Sequence, residues 1–254
     1  MLQTRVMPCL LVKNERLVKT VKFKSPSYIG DPINAIKIYN EKEVDELILL
    51  DITATIEQKP PSFTLVSEVT NECFMPLCYG GGIRTIDGIR KILSLGVEKV
   101  AVNSYAVENP IFIREASKEF GSQSIVVSVD VKKTLLEKYL VYTHGGRKAT
   151  NLNPVDFTRQ MQAMGAGEIL LNSIDRDGTW EGYDLDLIRR VTQMVTIPVI
   201  ACGGAGNVGD FGEAVKKAGA SAVAAGSMVV YQGKGLGVLI NFPRRDELEK
   251  ILVN

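Results

Sequence analysis

A closed (β/α)8 barrel, the TIM-barrel form of the α/β class, built from two homologous half-barrels, is the fold the sequence predicts, on three observations. Short β-rich runs alternate with amphipathic helical stretches, making eight strand–helix units over 254 residues, the number such a barrel needs. The β-rich runs are apolar throughout, as strands covered on both faces are. The chain also repeats itself. Met75 to Gly82, MPLCYGGG, matches Ile197 to Gly204, IPVIACGG, with position 81 falling on 203, and Asp45–Asp51 matches Gly167–Ser173 at the same offset. An open doubly wound sheet fits the first two observations, but four units followed by four similar ones favour the barrel. We therefore expect one domain over 1–254, with half-barrels near 1–122 and 123–254.

In chain order, strands are expected near Arg5–Val12, Glu46–Asp51, Met75–Tyr79, Lys99–Asn103, Ser124–Val131, Glu168–Ser173, Pro198–Ala201 and Ala222–Ala225. Helical patterns lie between them, among others at Asp31–Asn40, Ile86–Leu95, Ile111–Phe120, Pro154–Met164, Leu185–Val195 and Gly209–Ala218. Asp31 is placed to cap the first, with Pro32 at its opening position.

Composition excludes several function classes. Thirty basic and 29 acidic residues leave a formal charge of +1, which gives no general attraction to nucleic acid or anionic membrane. No apolar run spans a bilayer and no secretory hydrophobic region opens the chain, so a cytoplasmic protein is expected. Cys9, Cys73, Cys78 and Cys202 form no C-x-x-C pair and read as reduced thiols. With His144 the only histidine, neither a histidine metal cluster nor a Ser-His-Asp triad is expected, and no cofactor is called for.

In a barrel of this kind the site lies at the carboxyl ends of the strands. Gly80-Gly81-Gly82 and Asn103-Ser104 end strands in the first half; Gly203-Gly204, Gly226-Ser227 and Asp177-Gly178-Thr179 do so in the second. Glycine lets backbone N–H groups approach an anion. Two such sets at matching positions predict a ligand with a phosphate at each end, held across the mouth. Gly204 to Gly209 also fits G-x-G-x-x-G, but no acid follows about 20 residues later, where the chain reads AAGSM, and a nicotinamide site is set aside.

The strand-end carboxylate Asp130 sits in SIVVSVDVK. Aligning its Lys132 with Lys13 of PCLLVK places Leu11 opposite Asp130, so one half keeps an acid that the other lacks. The long segment 13–30 carries Lys13, Arg16, Lys19, Lys22 and Lys24. Its alternation in LVKTVKFK predicts a β-ribbon with one basic face, and a lid role would bring Lys19 over an anionic substrate. At the strand starts, Arg5, Glu46, Lys99 and Glu168 predict a neutral charged ring across the barrel floor.

DELILLDITAT, YGGGIRT, FGSQSIVVSVDVK, VYTHGGRKAT, GAGEILLNSIDRDGTWEGYDLDL and IPVIACGGAGN together resemble the cyclase subunit of imidazole glycerol phosphate synthase, a family of histidine biosynthesis. The likeness runs to about Tyr231. It implies a barrel that binds a twin-phosphate ribosyl substrate and receives ammonia from a glutaminase subunit docked at its floor. Arg5, Glu46, Lys99 and Glu168 fall on the family's gate. Lys19, Gly82, Asn103, Ser104, Asp177, Gly178, Gly204, Gly226 and Ser227 fall on its substrate and phosphate contacts.

The departure is Leu11, where the family pattern C-L-D-V-K supplies the second of two acids that share the acid–base work. Leucine cannot move a proton, and general acid–base catalysis contributes about 10²–10⁴-fold. Cys202 stands where the family tends to have serine. A branch of the family resembles this chain in having CLLVKN at strand one and is associated with surface-polysaccharide gene sets. There the barrel and its glutaminase are thought to feed ammonia to a separate sugar amidotransferase that makes acetamidino groups. That paralogue reading is preferred here, with an active cyclase as the alternative. A third possibility is an isomerase of the related half-barrel enzymes, which Leu11 argues against because those also use an acid at the first strand.

Overall fold

The computed structural model describes residues 4–253. Strands β1 (Arg5–Lys13), β2 (Arg16–Val21) and β3 (Lys24–Gly30) precede helix α1 (Pro32–Glu41), followed by β4 (Leu47–Asp51), α2 (Phe63–Glu72), β5 (Leu77–Gly80) and α3 (Ile86–Ser94). Then come β6 (Lys99–Val102), α4 (Ser104–Glu108), α5 (Pro110–Phe120), β7 (Ile125–Lys133), β8 (Tyr139–Thr143), β9 (Lys148–Ala149), α6 (Pro154–Ala163) and β10 (Glu168–Ser173). The chain continues through α7 (Leu185–Thr192), β11 (Val199–Cys202), α8 (Val208–Gly212), β12 (Ala222–Ala225), α9 (Ser227–Val230) and α10 (Arg245–Leu252).

Eight of these strands form a closed parallel ring. β1 pairs β4, then β5, β6, β7, β10, β11 and β12 follow, and β12 pairs β1 again. This is the (β/α)8 barrel expected from the repeat. Closure leaves the ring with no unpaired edge, which is why its strands can be apolar on both faces without offering a template for aggregation. The remaining strands form two hairpins at the mouth: β2 and β3 extend from β1, and β8 and β9 from β7.

Two cores follow from the two faces of each strand. Outward residues such as Val6, Leu10, Leu49, Val127, Leu171 and Val223 pack under the helices. Inward residues fill the bore: Met7, Ile48, Cys78, Val126, Leu170 and Ile200 are all buried and in one cluster. Helix starts are set by side-chain caps. Asp31 accepts from Asn34 N at 3.1 Å with Pro32 opening α1, as expected, and Thr85 accepts from Gly88 N at 3.0 Å ahead of α3. The last helical pattern of the repeat departs from expectation: α8 stops at Gly212 and continues as a π-turn over Glu213–Lys217. No helix among the described residues is long and apolar enough to cross a membrane.

The duplication is visible in backbone angles. Asn103 and Gly226, each preceding a short helix at a matching strand end, have φ/ψ of −110/−85 and −105/−81. A conformation that rare recurs because both positions perform the same turn from strand to helix.

Candidate active site

A cavity of about 200 Å³ opens at the strand carboxyl ends. Each residue expected at the mouth lines it: Asp130 and Leu11 at its base, Gly82, Asn103 and Ser104 on one arc, and Lys19, Asp177, Gly178, Gly204, Gly226 and Ser227 on the other.

Asp130 is 8% exposed. Burial pushes its carboxyl up to about 7, Ser128 Oγ moderates this from 3.5 Å, and the nearby Asp177 adds to the rise. Leu11 and Asp130 hold equivalent places on β1 and β7. Leu11 stands opposite Val18 on the following hairpin strand, and Asp130 opposite Tyr142. Two other carboxylates line the cavity, and each is tied to a neighbour. Asp51 Oδ1 accepts from Thr53 N and Thr53 Oγ1, each at 2.8 Å, and from Ala54 N at 3.1 Å. Asp177 accepts from Lys19 Nζ at 2.7 Å and Thr20 Oγ1 at 2.9 Å. Asp130 is therefore the single cavity carboxylate without a cationic or backbone partner among the described residues.

The β2–β3 hairpin corrects the expectation of a ribbon with one basic face. Leu17, Val18, Lys19 and Thr20 are all buried in succession, because the hairpin folds back across the mouth and is covered on both sides. Lys22 N donates to Asp177 O at 2.9 Å, pinning the turn to the far side of the barrel. Lys19 lies inside, with its Cε close enough to Gly226 that a Cβ there would stand 2.9 Å away. The hairpin thus carries one buried cation over the mouth while Arg16 and Lys24 remain in solvent.

The two glycine- and serine-bearing strand ends expected to hold phosphate are built differently. On the first-half side, Asn103 Nδ2 donates to Ser128 O at 3.0 Å, and Ser104 Oγ donates to Asn103 Oδ1 at 3.0 Å while accepting from His144 N at 2.9 Å. On the other side, Gly204 has φ +116 and a Cβ there would meet Gly182 O at 2.2 Å, so only glycine lets these loops touch.

At the floor, the four expected charges form one network. Arg5 donates to Glu46 Oε2 at 2.6 Å and to Glu168 Oε1 at 2.9 Å; Lys99 donates to the same Glu46 oxygen at 2.9 Å and to Glu168 Oε1 at 3.2 Å. Each cation touches both anions. Burial works against the Arg5 charge, and Glu168 and Glu46 more than offset it, so its pKa is raised. Above the ring the bore is apolar and sulfur-rich. Cys78, enclosed next to the ring, has its thiol pushed well up by burial and by Glu46. Cys202 is raised too, chiefly by its contact with Cys9 and then by burial, so these thiols stay protonated.

Sequence reasoning passed over several cavity residues. Asn172 stands beside Asp130 in the β7–β10 register, is 7% exposed, and its Oδ1 has no hydrogen-bond partner. The signal was there: a polar residue at an inward position of the otherwise apolar EILLNS. Thr20, Ser128, Phe23 and Arg147 also line the cavity, but their roles come from hairpin geometry and strand packing that no short motif encodes.

The comparisons agree with this architecture. The histidine biosynthesis protein family model matches residues 5–235. A Pseudomonas aeruginosa protein provisionally named imidazole glycerol phosphate synthase subunit hisF2 is 49% identical over 249 residues, covering 98% of this chain and 99% of its own. A Leptospira interrogans protein with a similarly provisional HisF name is 48% identical over 252 residues, covering 99% of both chains. The imidazole glycerol phosphate synthase subunit HisF of Alkaliphilus metalliredigens is 45% identical over 231 residues, covering 91% of this chain and 92% of its own. With its ring of eight strands, charged floor and strand-end cavity, the chain belongs to the histidine biosynthesis protein family, among the HisF-type cyclase subunits of imidazole glycerol phosphate synthase.

Proposed function

We propose that this barrel docks a glutaminase at its floor, conducts ammonia through its bore, and binds a phosphorylated ligand at its mouth without being an efficient cyclase. The ammonia is supplied to a sugar amidotransferase that forms acetamidino groups for surface polysaccharide. The observation that carries this reading is the pairing of Leu11 with Asp130. Cyclisation in the family divides proton transfers between two acids, and here the other cavity carboxylates are held by Lys19, Thr20 and local amides. Asp177 is neutralised by Lys19, and Asp51 is fixed through Oδ1 to the turn that follows its own strand.

The conduit follows from elementary chemistry. Ammonium is a cation that an apolar bore excludes, whereas neutral ammonia enters it and keeps the lone pair that makes it a nucleophile. Arg5, Glu46, Lys99 and Glu168 close the floor as a neutral ring, so ammonia enters when one of these pairs swings aside. Exposed Phe74 and Met194, in the loops at the strand-start end, give a glutaminase apolar purchase beside that ring. At the mouth, Lys19, Ser104, Ser227 and the glycine turns supply the cation and backbone donors that a twin-phosphate ligand needs.

A second reading has its own support. Asp130, with its carboxyl pushed up to about 7, is placed to act as acid or base near neutral pH, and both anion cradles remain. On this reading the chain is an active cyclase that forms imidazole glycerol phosphate. Complementation of a cyclase-deficient histidine auxotroph separates the two. No growth, together with stimulation of a cognate glutaminase by the purified barrel, is the expected result; robust growth overturns the preferred reading.

A further inference from the structure

The β8–β9 turn, His144-Gly145-Gly146-Arg147, has so far been given one contact, from the His144 amide to Ser104 Oγ, and no role. It is built in an uncommon way. His144, Gly145 and Gly146 are three successive left-handed residues, with φ of 55°, 61° and 75°. His144, a non-glycine residue, pays a conformational cost to be there. Its amide donates to Ser104 Oγ at 2.9 Å, tying the turn to the first-half anion cradle. Gly145 lines the cavity, and its amide donates to no acceptor among the described residues. Successive amides in a left-handed turn converge into a concavity that suits an anion.

Arg147 supplies the charge. It is an exposed residue at the cavity rim and has no carboxylate within ion-pair distance among the described residues. The other rim arginine, Arg84, is already paired with Glu108 at 3.0 Å. Lys19, on the opposite arc, is neutralised by Asp177. Arg147 is thus an uncompensated cation at the cavity rim, on the same four-residue turn as the open Gly145 amide and the His144 amide that binds Ser104 Oγ.

The repeat explains why it is there. Because Leu11 and Asp130 are equivalent, their hairpin partners Val18 and Tyr142 are equivalent, and the next residues pair Lys19 with Thr143. The β2–β3 hairpin of the first half lies over Gly226 at the end of β12, and the β8–β9 turn of the second half lies over Ser104 after β6. Each half covers the other half's cradle. At the place of Lys19 the second hairpin has only threonine, so its cation comes from the turn instead.

We propose that the His144–Arg147 turn is an anion clamp, in which Arg147 and the Gly145 amide hold the phosphomonoester end seated at Asn103-Ser104. The proposal rests on the twin-phosphate reading of the mouth and assigns the more strongly cationic of its two ends. A phosphomonoester dianion is the fitting group, since a planar guanidinium donates to two of its oxygens at once.

The test is calorimetric titration of the full chain with a linear alkanediol bisphosphate, using an alkyl monophosphate as the one-ended control. Arg147→Gln is expected to weaken bisphosphate binding about tenfold or more, the loss typical of one charge-assisted contact. Arg147→Lys is expected to recover part of it, and Lys148→Gln, next door and exposed, to stay within about twofold of the parent. Unchanged binding by Arg147→Gln overturns the clamp, as does an equal loss in Lys148→Gln, which would mean a general surface potential. If the parent chain binds no bisphosphate, the twin-phosphate reading itself falls, a result distinct from either of these.

Discussion

Phe23 rests against Gly146, so close that a Cβ added to the glycine would stand 2.9 Å from Phe23 Cδ2. The tips of the two hairpins therefore meet above the cavity and roof it. Gly146→Ala puts a methyl into that contact at φ +75 and is expected to cost about 1–2 kcal/mol, combining left-handed strain with crowding. Limited proteolysis should cut Gly146→Ala faster than the parent in segment 13–30, while thermal melting reports the modest stability loss.

Restoring the acid tests the reading of the mouth. Leu11→Asp places a second carboxyl on the inward face of β1, at the position equivalent to Asp130. With ammonium salts and the family's cyclisation substrate, turnover is expected to rise about 10²-fold or more over the parent. Parent turnover already at family levels, with no gain in the variant, would show that one acid suffices. The assay is product formation under saturating ammonium.

The pH dependence of stability follows from Asp130. Its folded-state pKa, about 7, lies above the unfolded value near 4, so the unfolded chain gives up this proton first. The penalty for ionising the buried group is absent below about pH 4, grows as pH rises from there, and is complete above about pH 7. Asp130→Asn removes it. Denaturant titrations should show the variant gaining stability relative to the parent as pH rises from about 4 to about 7, the interval between the unfolded and folded pKa values, and a constant difference above it.

Breaking the floor ring should be costly out of proportion to its net charge of zero. Glu46 accepts from both Arg5 and Lys99, so Glu46→Gln leaves two cations sharing Glu168 alone. A loss of about 3 kcal/mol is expected, because removing one member of a buried network leaves its partners uncompensated. Combining Glu46→Gln with Lys99→Met should recover part of that loss, which denaturation midpoints of the single and double variants will measure.

The barrel was legible in the sequence because its two strongest constraints are local. Continuous apolar runs require coverage on both faces, and a repeated MPLCYGGG/IPVIACGG turn can only mean two copies of one strand-end design. Asp130, Leu11 and the floor charges were legible for the same reason: strand polarity tells start from end, and the two-residue period tells inside from out. The β2–β3 hairpin was harder. LVKTVKFK alternates like a ribbon with a wet face, yet the turn crosses the mouth to Asp177, 155 positions from Lys22 along the chain, and it is long-range contacts of this kind that bury Lys19. Asn172 and Arg147 were missed because their significance is relational: one lies beside Asp130 across a strand pair, and the other lies without an ion-pair partner on a turn that reaches the far half's strand end.

The exchange of straps between the halves has a consequence for how such a site could be assembled. Either half folded by itself would carry a strand-end cradle lacking its cover, and a cover with nothing beneath it. Two separate copies could complete each other only at concentrations that sustain their dimer, whereas a continuous polypeptide makes the mutual enclosure independent of dilution. Ligand retention at the mouth is in that sense a property of the covalent junction near residue 122, far from any atom the ligand touches.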